Sequence, residues 1–75
     1  MDKNLIMFSS MTLLMKAKEL LRRNNIMSKT VRTPARLRNR SCGYSLQVNR
    51  DFDEAFNLIK DNHIPIIGVS AVDYN

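Results

Sequence analysis

The 75-residue chain has no tryptophan, one histidine, two prolines, two glycines and one cysteine. Each shortage removes a class of function. A single cysteine, Cys42, rules out a disulfide within the chain. A structural zinc site takes four Cys or His ligands, and Cys42 with His63 supplies two, so no resident metal is expected. Two glycines, Gly43 and Gly68, are too few and too far apart for a phosphate-cradling loop. No run approaches the roughly 18 apolar residues of a membrane span. The apolar stretch Leu5 to Phe8 is broken by Ser9, Ser10 and Thr12, and Lys16 and Lys18 follow before any small-residue cleavage site. The chain therefore reads as a cytoplasmic protein that is reduced, bound to no membrane and without a cofactor. Its length suits one domain over residues 1–75 with a modest core.

Acids are scarce where bases are dense. Between Lys16 and Arg50 lie Lys16, Lys18, Arg22, Arg23, Lys29, Arg32, Arg36, Arg38, Arg40 and Arg50, against Glu19 alone. From Asp51 onward Asp51, Asp53, Glu54, Asp61 and Asp73 face only Lys60. A charge distribution this lopsided suits an anionic partner, whether nucleic acid, an acidic protein surface or a small oxyanion, and equally suits a solvated face.

Hydrophobic periodicity supplies the architecture. Asn4 to Phe8 reads as a buried strand that ends at Ser9-Ser10, a helix cap. Leu13, Leu14, Ala17, Leu20 and Leu21 recur at three- and four-residue steps and predict a helix over 11–24. Arg22 and Arg23 complement its dipole, and Asn24-Asn25 stop it. Met27 to Thr33 is a second strand, closed by Pro34, which has no N–H for a ladder. Ala35 to Cys42 is too polar for core and too short for a full helix, so one helical turn leading into a loop is expected. Tyr44, Leu46 and Val48 alternate with Ser45, Gln47 and Asn49, predicting a strand with one wet face. A second helix is expected from Asp51, with Asp51 as cap and Glu54 completing a capping box. Its apolar face is Phe52, Ala55, Phe56 and Ile59. Past Pro65, Ile66, Ile67, Val69, Ala71 and Val72 form a last strand. The order β-α-β-β-α-β predicts an α+β, ferredoxin-like fold: a four-stranded antiparallel sheet with both helices on one face.

The chemistry-bearing residues are few. Asp51, Asp53 and Glu54 crowd a helix start, where the dipole already accounts for them, and His63 sits at a helix end. What remains is Arg40-Ser41-Cys42-Gly43. A cysteine on a loop beside a glycine is open to attack. Gly43 can take a positive φ, which lets successive backbone N–H groups converge on the sulfur. Cationic neighbours and amide donors lower a thiol pKa from about 8.5, and Arg36, Arg38 and Arg40 lie close in sequence. Cys42 is the candidate nucleophile; Arg36, Arg38, Arg40, Ser41 and Gly43 are its electrostatic and geometric support. A cysteine at the start of a strand can also be a small buried hydrophobe.

Thr33-Pro34-Ala35-Arg36-Leu37, then Ser41-Cys42-Gly43, then Tyr44-Ser45-Leu46-Gln47-Val48 resembles the signature of the putative selenium/sulfur carrier protein-like family. The front also matches: a strand ending in Phe8, then Ser10, then a helix with Ala17 and Leu20-Leu21. The resemblance implies a carrier rather than a turnover enzyme. Cys42 would take sulfur or selenium from a donor such as a cysteine desulfurase and release it to an acceptor protein. No resolving cysteine is present, so transfer must end on a partner. A nucleic-acid-binding module is the alternative, since RNA-recognition domains share this topology and stack bases on aromatics of the central strands, where Phe8 and Tyr44 are the candidates. A regulatory module, homodimeric through an edge strand, is a third.

Overall fold

The computed structural model describes residues 2–38 and 41–73. Strand β1 (Leu5–Met7) leads into helix α1 (Met11–Arg23). Next come β2 (Lys29–Arg32), a 3₁₀ turn (Ala35–Leu37), β3 (Tyr44–Gln47), helix α2 (Phe52–Asp61) and β4 (Gly68–Ser70). The strands pair in the order β2-β3-β1-β4, every pair antiparallel. This is the ferredoxin-like arrangement expected from the element order.

Both ends of α1 follow from local chemistry. Extended Ser10 accepts the Leu13 N–H on its hydroxyl at 3.2 Å, satisfying one orphan donor. At the other end Asn24 donates its side-chain amide to Leu20 O at 2.8 Å, and Asn25 adopts a left-handed φ of 61°. Leu14, Ala17 and Leu21 are buried; Leu13 and Leu20 pack at the margin.

The start of α2 departs from the capping-box expectation. Asp51 has φ 59°, and its side chain makes no capping bond. A capping side chain needs an extended backbone to reach the N2 or N3 amide, and the left-handed turn aims it elsewhere. The Asp51 carbonyl instead accepts the Ala55 N–H at 2.9 Å. Phe52 and Phe56, half-buried, stack with ring centroids 6.5 Å apart, while Ala55 and Ile59 enter the core.

One row across the sheet reads Thr30, Leu46, Ile6, Val69 and faces the helices. Phe8, Leu46, Val48 and Ile6 meet Leu14, Ala17, Leu21, Ala55 and Ile59 there, all fully buried. The opposite face of β3 was expected to be wet, and it is only partly so. Leu5 and Met7 on that face are covered by Val72 from the C-terminal segment and Leu37 from the 3₁₀ turn. Ser45, expected in water, is fully buried and shares a short hydrogen bond with the equally buried Thr33 hydroxyl. Alternation along β3 could not report this cover, because both covering residues come from segments outside the strands.

Strand limits are also shorter than the apolar runs. Met27 lies outside β2, almost wholly exposed. Val72 leaves the last ladder and is clasped by Asn4, which donates Nδ2 to Val72 O at 2.7 Å and accepts the Val72 N–H at 2.9 Å.

Replacing Ser45 with Ala strands the buried Thr33 hydroxyl and should cost about 1–3 kcal/mol in urea denaturation. Adding Thr33→Val should recover most of that loss, because removing both partners leaves no orphaned donor.

Candidate functional site

Cys42 lies just past the end of the β1–β3 ladder. Thr33 N–H donates to Gly43 O at 2.9 Å, closing the β2–β3 hairpin, so the segment from Pro34 to Cys42 is its loop. Within it Leu37 N–H bonds Pro34 O at 2.8 Å and Arg38 N–H bonds Ala35 O at 3.3 Å, which makes the expected single helical turn.

The backbone of Cys42 is held by its own N–H, which donates to Phe8 O at 3.0 Å, past the strand ends and two residues out of the β1–β3 register. Its side chain packs at the edge of the main core, on the helix side of the sheet, half-buried. The thiol donates to Tyr44 O at 3.4 Å, and Sγ lies 3.9 Å from Sδ of Met11, the first residue of α1. The site is thus the corner where β1 ends, α1 begins and β3 starts.

Gly43 has φ +92°, in the left-handed region anticipated for it, with open space where a Cβ would sit. The convergence of amides on sulfur is not found. Ser41 N–H goes to Arg38 O at 3.0 Å, Cys42 N–H to Phe8 O, and Gly43 N–H to the Ser41 hydroxyl at 3.1 Å. All three of these donors are used to shape the loop. Arg38 is likewise engaged, its Nε donating to Thr33 O at 2.7 Å. Arg36 is exposed on the 3₁₀ turn. Arg40 lies outside the described residues. Of the arginines that lie close to Cys42 in sequence, Arg38 is thus turned to the loop backbone and Arg36 to solvent.

A different set of residues meets at Cys42. Met11 is 41% and Tyr44 38% exposed. Arg32 lies directly across from Tyr44 in the ladder, its guanidinium 5.5 Å from the ring centroid and its Nη1 3.5 Å from the phenol oxygen. None of this was legible in the sequence: Met11 and Arg32 lie 31 and 10 positions from Cys42, and only the packing of α1 on the sheet and the β2–β3 register bring them to this corner. Glu19, the sole acid of the basic stretch, is taken up by Arg22, whose Nε lies 2.7 Å from its Oε1. That hydrogen bond draws the Glu19 carboxyl below its usual range and raises Arg22.

Two other sequence readings meet the geometry here. Phe8 is fully buried in the helix-side core, and Tyr44 carries Arg32 on that same side of the sheet. On the opposite face the central strands present Leu5, Met7, Ser45 and Gln47, so among the described residues it offers no ring for a base to stack on. His63 sits past α2 with a left-handed φ of 60°, a helix-end position. Among the described residues no three His, Cys, Asp or Glu side chains gather as a metal site, and no helix is long and apolar enough to cross a membrane.

The family model described as Putative Se/S carrier protein-like matches residues 3–70. The chain belongs to this family. Comparison with curated proteins and with solved structures returned no match. The matched span runs from the start of β1 to the end of β4 and includes Cys42 with its whole loop.

Gly43→Ala should destabilise the protein by about 1–2 kcal/mol, the cost of a Cβ at positive φ, even though the space is open. Equilibrium denaturation measures this, and a neutral result would mean that the turn is freely remodelled.

Proposed function

We propose that the protein is a single-thiol carrier in which Cys42 accepts a sulfur or selenium atom from one protein and delivers it to another. The observation that carries this reading is the placement of the chain's only thiol. It is half-buried at the junction of β1, α1 and β3, fixed through its N–H to Phe8 O, inside the span that matches the carrier family. A cargo sulfur needs an attachment point that stays in place and opens to one side, and a half-buried side chain on a ladder end meets both needs.

In the loading step the Cys42 thiol loses its proton to solvent, and the thiolate attacks the terminal sulfur of a donor persulfide, R–S–SH. A new S–S bond forms at Cys42 while the donor S–S bond breaks. The electron pair leaves on the donor thiolate, which takes up a proton. The exchange consumes no external oxidant or reductant, because the sulfane sulfur moves at constant oxidation state. Unloading is the same reaction on an acceptor thiolate. The selenium form replaces the moving sulfur atom by selenium with the same bond changes.

The supports proposed from the sequence take narrower roles in this reading. Ser41 and Gly43 hold the loop, and Arg38 ties it to Thr33. Arg36 and Arg40 are assigned to the encounter with an acidic partner. The protein works as a carrier whose turnover belongs to its donor and acceptor.

Intact-mass spectrometry after incubation with a cysteine desulfurase and cysteine tests the reading. Wild type should gain the mass of one sulfur, and dithiothreitol should remove it. Cys42→Ser should gain nothing. A wild-type chain that stays unmodified under these conditions and with a low-molecular-weight persulfide would end the carrier proposal.

A further inference from the structure

Anything that reaches Cys42 must pass the residues beside it, and these form a strip of distinctive chemistry. Along α1, Met11, Met15 and Lys18 follow one another at four- and three-residue steps, so they share a helix flank. Lys18 donates to the Thr30 hydroxyl of β2 at 3.2 Å, which places that flank beside the β2–β3 edge of the sheet. Along the sheet, Thr30 pairs with Leu46 and Arg32 with Tyr44, and Cys42 follows two residues beyond Tyr44. Met11 and Lys18 are about 10 Å apart along the helix, and Leu46 and Cys42 about 13 Å along the strand direction. The two rows therefore run side by side, with Cys42 and Met11 at one end and Lys18 and Thr30 at the other.

The strip combines exposed soft apolar groups with cations that, among the described residues, have no carboxylate on them. Met15 is 54% exposed, more than Met11 or Tyr44. Unbranched methionine side chains repack against differing surfaces, which suits a carrier that meets one protein to load and another to unload. Lys18 rests on a hydroxyl and Arg32 on a phenol oxygen and its ring, both neutral partners. Glu19 is held by Arg22, leaving the cations of the strip without an internal counterion from that acid.

We infer that this strip, formed by Met11, Met15, Lys18, Arg32 and Tyr44, is the docking surface for a carboxylate-bearing segment of the persulfide donor. The inference rests on the carrier reading for the donor's identity. The donor's apolar side chains lie on Met11 and Met15, and its carboxylates pair with Lys18 and Arg32. Its persulfide sulfur enters at the Met11 end, where displacement of one flexible side chain opens Sγ. Rim cations of this kind act mainly on encounter, so the interaction weakens with salt.

Docking is separated from transfer by using Cys42→Ser, which keeps the surface and has no thiol. Its binding to a purified cysteine desulfurase is measured by calorimetry at about 50 mM and about 300 mM salt, ionic strengths that bracket effective screening. The expected result is binding that weakens at least tenfold in the higher salt. It should also weaken at least tenfold when Lys18→Glu and Arg32→Glu are added. Met11→Glu gives a third reading and should also weaken binding, since it puts a charge where the donor's apolar side chains lie. Circular dichroism checks that each variant is folded, and the salt comparison stands if a variant is not. Absence of binding, or binding indifferent to salt and to the substitutions, overturns the docking surface. A wild type that binds the desulfurase but never gains mass overturns the carrier reading and leaves the surface standing. One that loads from a small persulfide without binding the enzyme does the reverse.

Discussion

The antiparallel pairing of β1 with β3 is the constraint on which the rest of the molecule depends. It extends past the strands in both directions, from Val48 N–H on Asn4 O at 2.8 Å to Cys42 N–H on Phe8 O at 3.0 Å. A slip of one residue would turn Leu46 and Val48 outward and put Ser45 against the helices. It would also carry Cys42 to the opposite face, away from Met11 and the start of α1. The thiol's position is thus tied to the burial of the main core. The preference for burying Ile6, Phe8, Leu46 and Val48 together holds the sulfur where it is.

A sheet of four short strands has two faces and only two helices to cover them. The second face is closed by economical means: Leu37 from a 3₁₀ turn, Val72 from the chain's last segment, and the Asn4 clasp that holds Val72 in place. The Thr33–Ser45 hydroxyl pair lies inside this thin layer, fully buried, with each oxygen partnered. Because Leu37 belongs to the same loop as Cys42, the cover also anchors the segment that carries the thiol. Pro34, Leu37 and Arg38 tie its first half down, and Gly43 turns the chain so that β3 can begin. Thiol placement and the second hydrophobic layer are consequently built by one stretch of chain.

Charge plays a different part from the one its density suggests. Of the arginines near Cys42 in sequence, Arg38 is used for loop structure and Arg36 faces solvent. Lys18 and Arg32, the cations held on Thr30 and Tyr44, come from α1 and β2. Local sequence proximity is a poor guide to electrostatics in a loop, whereas cross-strand register is a strict one. The same logic explains the second helix, where a left-handed Asp51 leaves the carboxylates of the first turn to act through the dipole instead of a capping bond.

Periodicity alone determined the element order, the helix stripes, the Ser10 cap and the asparagine stop, because those depend on neighbours within about four residues. From that order the topology followed, since right-handed crossovers leave one arrangement for β-α-β-β-α-β. Cys42 stood out for its solitude and for its setting between Ser41 and Gly43. The tertiary structure decided what stands around it: which carbonyl holds its proton, that Met11 is its sulfur neighbour, and that the loop amides are spent elsewhere. It also decided that the second sheet face is covered. Those outcomes depend on contacts between residues as far apart as Asn4 and Val72. Such contacts exist only once the whole chain has paid its conformational entropy and closed.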